Sequence, residues 1–258
     1  MAVRSNIEWQ HWGALDPMYG VSSIPGKGRQ GRDPWNANSF YSRSQQDIEG
    51  FVRHWRNYGL NDTSCVEIGC GAGRITMHLQ QIFRRVEAVD VSEGMLALAA
   101  KVCDPVRVHL HRADGRTIPL PDNSVTAAFS VIVFQHLNAE QDGECYLREI
   151  HRVLSQGSSM MINLPMYSLA GGGRLARVGY KLDRAGIRIV AEVHRLAIRS
   201  HLGKSRVGRR FADYMHRTAY EQSRLLRTLA PLFDDLEIRI FYVPTEERHL
   251  TFLFGKKR

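Results

Sequence analysis

Val66-Glu67-Ile68-Gly69-Cys70-Gly71-Ala72-Gly73-Arg74 is the stretch that decides how this chain is read. A short apolar run from Cys65 to Ile68 breaks into three glycines at alternate positions, and a helical pattern starts near Arg74. The pattern predicts a strand over 64–69, a glycine turn, and a helix at about 74–83 whose N-terminus can receive a nucleotide-like ligand. Glycine removes the Cβ where a ligand must touch backbone, and it permits positive φ in the turn. The order is G-x-G-x-G followed by Arg74, where a dinucleotide site needs glycine for close helix–strand packing. A dehydrogenase is therefore disfavoured.

Outward from the turn, strand and helix patterns alternate. Val86 to Asp90 reads as a second strand, Ser92 as the cap of a helix through Val102, Val106 to Leu110 as a third strand, and Ser124 to Phe134 as a fourth. The fourth is nearly unbroken in apolar residues, as a parallel strand covered on both faces should be. Asn138 to Leu154 predicts a long helix, and Ser158–Leu164 a fifth strand that Pro165 stops. Upstream, Ser44 to Tyr58 predicts a helix capped by Ser44 and ended by Gly59, with Ile48, Phe51, Val52, Trp55 and Tyr58 on one buried face. Downstream, Thr218-Ala219-Tyr220-Glu221 reads as a capping box opening a helix to about Ala230. Leu236–Val243 and His249–Phe254 are strands whose connection is too short for a parallel crossover, so that pair is antiparallel. The expected fold class is α/β: a Rossmann-like seven-stranded sheet, mostly parallel, with a reversed last strand and helices on both faces.

Three acidic positions fall where the first three strands meet a common crevice: Glu67, Asp90 and Asp114. A carboxylate at Asp90 can accept both hydroxyls of a ribose, and Asp114-Gly115 can meet an adenine amino group. The chain of 258 residues, 43% apolar, supports one large core. It contains no run of 18 apolar residues, and Asn6, Glu8 and Gln10 occupy the place of a signal peptide's apolar stretch. Cys65, Cys70, Cys103 and Cys145 show neither CxxC pairing nor zinc spacing, which together with the missing leader predicts a cytoplasmic protein with reduced thiols. No His/Asp/Glu spacing indicates a divalent metal.

Two segments stand outside the alternation. Residues 1–43 read as an N-terminal arm or lid, because Gly13, Asp16-Pro17 and the loop Pro25 to Pro34 oppose long regular structure. Its Trp35, Phe40 and Tyr41 are candidates to close over a ligand, and His11 is a candidate acceptor-site residue. The second segment, 166–217, interrupts the strand–helix alternation of the 44–258 domain as a basic, mainly helical insertion. Between Arg174 and Arg210 it carries 11 Lys+Arg against Asp183 and Glu192, so the whole formal excess of +9 belongs to it. Apolar residues three or four apart predict a mainly helical, amphipathic segment suited to a lid or a homodimer face, although Gly179 and Gly186 interrupt it and 187–193 also reads as an alternating strand.

The quoted turn, Val89-Asp90-Val91-Ser92-Glu93-Gly94-Met95, Ala113-Asp114-Gly115 with Leu120-Pro121-Asp122-Asn123-Ser124, and Arg148 to Leu154 together resemble the class I S-adenosylmethionine-dependent methyltransferases over about residues 60–165. The resemblance implies S-adenosyl-L-methionine as cofactor, with S-adenosyl-L-homocysteine as product. It places Glu67, Gly69, Cys70, Gly71 and Gly73 along the methionyl and ribose part, Asp90 and Val91 at the ribose, and Met95, Asp114 and Gly115 at the adenine, with Val131 and Gln135 completing the set. The end of the fourth strand faces the transferred methyl in this family, which makes His136 the expected general base for a hydroxyl acceptor.

The expected activity is O-methylation of a saccharide, polysaccharide precursor or glycosylated metabolite, since the Trp-rich arm and the Gln135-His136 pair resemble enzymes of that kind. Nucleic-acid methylation through the basic 174–210 segment is the alternative. Val133-Phe134-Gln135-His136 lacks the Asn/Asp-Pro-Pro-aromatic pattern of base-modifying enzymes and argues against it. Other small metabolites, and a non-enzymatic reading in which the basic segment docks on a membrane or partner, also remain.

Overall fold

A computed structural model of the protein describes residues 4–23, 27, 33–167, 218–243 and 248–258. Strand β1 (Ser64–Ile68) is buried along its whole length. Val66 and Ile68 enter one core and Cys65 the other, the two-residue alternation of a strand covered on both faces. Around it lie β2 (Arg85–Asp90), β3 (Val108–Arg112), β4 (Val125–Ser130), β5 (Leu154–Asn163), β8 (Phe233–Val243) and β9 (Arg248–Lys257) in the order β3-β2-β1-β4-β5-β9-β8. Strands β1 to β5 are parallel, and β9 runs antiparallel to both β5 and β8. The Rossmann-like sheet with its reversed strand is as the sequence predicts.

Helices α7 (Glu140–Val153) and α8 (Gln222–Leu229) supply Tyr146, Leu147, Ile150, Leu225 and Leu229 to one core. Helices α4 (Gln45–Tyr58) and α5 (Thr76–Ile82) cover the opposite face. The apolar stripe of α4 is buried as its spacing predicts, and Trp55 Nε1 donates to Ser159 Oγ at 2.8 Å while its ring stacks on Phe129. Gly59 closes α4 in the left-handed conformation.

The caps differ from expectation because tertiary partners claim the side chains. Ser44 makes no cap bond; its Oγ donates to the carbonyl of Arg74 at 3.0 Å and ties α4 to the glycine turn. Thr218 donates to Leu137 O at 2.6 Å, and α8 is capped by Glu221, whose carboxylate accepts from the N–H groups of Ser223 and Arg224. Helix α6 (Glu93–Ala99) follows Ser92, whose side chain makes no cap bond either. The third strand starts two residues late, because Asp104 Oδ1 holds the N–H of Val106 in a turn. The fourth ends at Ser130: Ile132 takes φ 59°, and Phe134–His136 form one 3-10 turn.

The arm is more regular than its glycine and proline content suggests. Helix α1 (Arg4–Leu15) runs 12 residues, and Asp16 caps α2 (Pro17–Val21) by accepting from Tyr19 N at 3.2 Å. Tertiary contact overrides local propensity here. Asn6 Nδ2 donates to Asp114 O at 2.7 Å and Gln10 Nε2 to Val91 O at 2.6 Å, fastening α1 across the loops after β3 and β2. Gly13 passes directly over α6: a Cβ on Gly94 would stand 2.6 Å from the carbonyl oxygen of Gly13. Short helix α3 (Ala37–Ser42) follows, with Phe40 buried against Trp12 and Met95 in a third core. The basic 174–210 helix and the dimer face proposed for 166–217 lie outside the described residues, apart from β6 (Met166–Tyr167), which pairs in parallel with β7 (Tyr220–Glu221).

The Gly13–Gly94 approach has a direct consequence. Gly94→Ala should destabilise the protein by about 1–3 kcal/mol, the usual cost of overpacking, because the opposing atoms are backbone. Urea unfolding would measure it, and Gly50→Ala, with open space at its Cβ, is the control expected to cost nothing.

Candidate active site

The C-terminal ends of β1, β2 and β4 surround a cavity of about 320 Å³ that α1 and α2 close from above. Its floor is the glycine turn. Gly69 has φ +74°, and a Cβ there would meet Val133 Cγ2 at 2.3 Å; Gly71 has φ +54°, with Val21 Cγ2 2.9 Å from the same place. Both positions therefore demand glycine twice over, by backbone conformation and by lack of space. The N–H groups of Gly69 and Cys70 bond to Val89 O, so the turn hangs from the neighbouring strand.

Asp90 organises the next side. Its Oδ2 accepts from Gly71 N and its Oδ1 from Ser92 N, both at 2.8 Å. Burial pushes this carboxyl above its ordinary range, against the lowering effect of those N–H groups. Glu67, almost fully buried, accepts from Thr76 Oγ1 at 2.7 Å. Desolvation pushes it up to about 7, with the Asp90 charge adding to the rise and the Thr76 bond and Arg74 opposing it. Burial likewise keeps the Cys70 thiol well above its ordinary value, so it is no thiolate nucleophile.

On the fourth-strand side, Ile132 N–H donates to Asn163 Oδ1 at 3.0 Å, and Asn163 in turn donates to Thr251 O at 2.9 Å. The 3-10 turn then carries Gln135 and His136 into the wall. Gln135 Nε2 lies 3.0 Å from His136 Nε2, and Trp9 of α1 meets the imidazole edge-on with centroids 5.1 Å apart. With the amide as donor, His136 Nε2 is an unprotonated acceptor and the proton sits on Nδ1.

Of the residues expected at the site, Glu67, Gly69, Cys70, Gly71, Asp90, Val91, Met95, Gly115, Val131, Gln135 and His136 all line this cavity. Gly73 does not; it packs against Ala99, supplying the close helix contact that the dinucleotide pattern assigns to a later glycine. Asp114 is also outside the wall. Its Oδ1 accepts from the N–H groups of Arg116 and Thr117 and from the Thr117 hydroxyl, which holds its carboxyl below the usual range. Trp35, Tyr41 and His11 are elsewhere too: Trp35 donates to Ser22 O, Tyr41 to Ala72 O, and His11 packs edge-on to Trp12. The wall instead includes Ser5, Asn6, Trp9, Ser22, Arg74, Tyr146 and Arg248, which sequence reasoning did not place there.

The raised Glu67 carboxyl predicts how stability changes with pH. Below pH 4.5 both folded and unfolded chains are protonated at this group; between about 4.5 and 7 the folded chain holds the extra proton, so stability falls as pH rises through that window. Glu67→Gln should abolish that component, worth on the order of 3 kcal/mol by pH 8. The check is urea unfolding of both proteins at pH 5 and pH 8 without ligand.

Comparison with known proteins gives the same fold a family. A methyltransferase-domain family model matches residues 66–162. The chain is 31% identical over 133 residues to the uncharacterized methyltransferase YdaC of Bacillus subtilis, covering 45% of this chain and 70% of that protein. It is 32% identical over 100 residues to a malonyl-[acyl-carrier protein] O-methyltransferase of Yersinia pestis, spanning 38% of this chain but only 35% of that one. Among solved structures, magnesium protoporphyrin IX methyltransferase of Synechocystis PCC 6803 with bound S-adenosylhomocysteine aligns over 98% of this chain and 100% of its own, at TM-score 0.59 and 12% identity. Phosphoethanolamine N-methyltransferase 1 of Haemonchus contortus aligns over 98% of this chain and 49% of its own, at TM-score 0.60 and 14% identity. At those identities the structures speak to fold alone, while the sequence matches, the glycine turn and the sheet order agree that this chain belongs to the class I S-adenosylmethionine-dependent methyltransferases.

Proposed function

We propose that this enzyme methylates an oxygen, and that the acceptor is a hydroxyl on a saccharide or glycosylated metabolite deprotonated by His136. The observation that carries the reading is a buried imidazole in the cavity wall, packed edge-on to Trp9 with its Nε2 3.0 Å from the Gln135 amide nitrogen. The wall also suits the cofactor. Gly69 and Gly71 line the cavity, the oxygens of Asp90 keep lone pairs for ribose hydroxyls, and Glu67 can face the methionyl ammonium. Val91, Met95, Ala113 and Val131 form the apolar portion that a purine would fill.

When bound, S-adenosylmethionine supplies an electrophilic methyl group on a sulfonium. An acceptor hydroxyl that takes the place of the Gln135 amide at His136 Nε2 loses its proton there as the new O–C bond forms. Trp9 limits ring motion and excludes water from the imidazole, and α1 and α2 close the cavity so that the acceptor is held in line. Residues 1–43 thus act as the arm that completes the 44–258 catalytic domain, supported by Ser5, Asn6, Trp9, Val21 and Ser22 in the wall.

A second oxygen acceptor has its own support. Arg248 and Arg74 share the wall, and a carboxylate would be drawn to either guanidinium. The Yersinia pestis relative carries O-methylation of a malonyl group in its name. A carboxylate needs no base, and this difference separates the two readings.

His136→Ala should bind S-adenosylhomocysteine within threefold of wild type and lose at least tenfold in kcat for a hydroxyl acceptor. Acceptors are found with labelled donor across oligosaccharides, small phenols, carboxylic acids and tRNA. Retained kcat in His136→Ala together with a tenfold rise in KM in Arg248→Ala would overturn the hydroxyl reading in favour of a carboxylate.

A further inference from the structure

The turn that carries His136 has little of its own to hold it. Phe134–His136 is a single 3-10 turn, closed by His136 N–H to Val133 O at 2.8 Å and by a longer bond, 3.3 Å, from Leu137 N–H to Phe134 O. A turn this short leaves carbonyls that outside donors must satisfy. The chain also enters it under strain, since the β-branched Ile132 holds φ 59° just before. Unless the far side of the turn is fixed, relaxation at Ile132 would move His136.

Three donors that fix it come from residues 218–220. Thr218 N–H donates to Gln135 O, and Thr218 Oγ1 donates to Leu137 O at 2.6 Å, so one residue clasps the backbone on each side of His136. The Tyr220 hydroxyl adds a third bond, donating to Phe134 O at 2.8 Å. Thr218 and Tyr220 are each 1% exposed, so water does not compete for these carbonyls. Gly143 on α7 keeps the path of the phenol open, because a Cβ there would stand 2.4 Å from the Tyr220 oxygen. We infer that Thr218 and Tyr220 are positioning residues for His136, fixing through the backbone of its turn where the imidazole enters the cavity.

Neither residue lines the cavity, so neither touches cofactor or acceptor. Their effect passes through the placement of one imidazole, and a misplacement of about 1 Å in a reacting group can cost on the order of a hundredfold in rate. The catalytic part of the proposal rests on the reading of His136 as the base. The placement itself does not, and it can be measured in the free protein.

The test compares Thr218→Val, which removes the hydroxyl, with Thr218→Ser, which keeps it. Val153→Ala, a cavity in the same core at the far end of α7, controls for lost stability alone. The first readout is the imidazole carbon resonance of His136 in 13C-histidine-labelled free protein, identified by its loss in His136→Ala. It should move in Thr218→Val, return in Thr218→Ser and stay in place in Val153→Ala. The second is turnover of the acceptor found with labelled donor: Thr218→Val should lose about tenfold in kcat, with KM and the Kd of S-adenosylhomocysteine within about threefold of wild type, and Thr218→Ser should restore it. Should Thr218→Val not fold, Tyr220→Phe carries the same two readouts, with changes in the same direction. An unmoved resonance, or one that Val153→Ala moves as far, would overturn the proposal. Retained kcat in His136→Ala would instead overturn the base reading, and the resonance alone then decides the placement.

Discussion

The carboxylate of Asp90 is the point from which the cavity is built. One oxygen holds the N–H of Gly71 in the turn after β1 and the other holds Ser92 at the entrance to α6, so a single side chain spaces two loops from adjacent strands. Val89 O completes the attachment by accepting from Gly69 and Cys70. A buried carboxylate is costly, and the raised protonation constant of Asp90 reports that cost even with two N–H donors in place. The arrangement persists because the N–H groups would otherwise be unpaired at the bottom of a cleft.

Across the cavity the constraint is steric. Ile132, a β-branched residue, holds φ 59°, a conformation that costs on the order of 1–3 kcal/mol. Asn163, 2% exposed at the end of β5, offsets it by accepting the Ile132 N–H and anchoring itself to β9. The kink sends Val133 into the space that Gly69 leaves empty and delivers Gln135 and His136 to the wall. Glycine on one strand and a strained turn on another are therefore two halves of one fit.

What could be read from the sequence was whatever local chemistry marks. The glycine turn, the acids Glu67 and Asp90 and the antiparallel final pair carry their own signals; Gly69, Gly71 and both acids reach the cavity and the last strand pair is antiparallel. Asp114 shows the limit: its position was legible, but the three donors of its own turn compete for the carboxylate, and sequence does not rank such competitors. Trp9, Tyr146 and Arg248 were invisible as wall residues for a different reason. They arrive from α1, α7 and β9, distant in the chain, and the local pattern of each helix or strand reports which face is buried without saying against what. The arm misled in the opposite direction, because Gly13 looked like a helix breaker and is instead the smooth face on which α1 meets α6.

The small parallel pair β6–β7 bears on how this protein can be altered. Met166 and Tyr167 lie beside Tyr220 and Glu221, and Tyr220 N donates to Pro165 O at 2.8 Å, so the residues on either side of 168–217 are held together at one doorway. Whatever is spliced between those two points need not strain the sheet, since lengthening a tethered loop adds only about 0.6 kcal/mol per doubling. The doorway opens beside Gln135 and Leu137, whose carbonyls receive Thr218. A change in the length of the chain between these anchors therefore need not move Gln135 or Leu137.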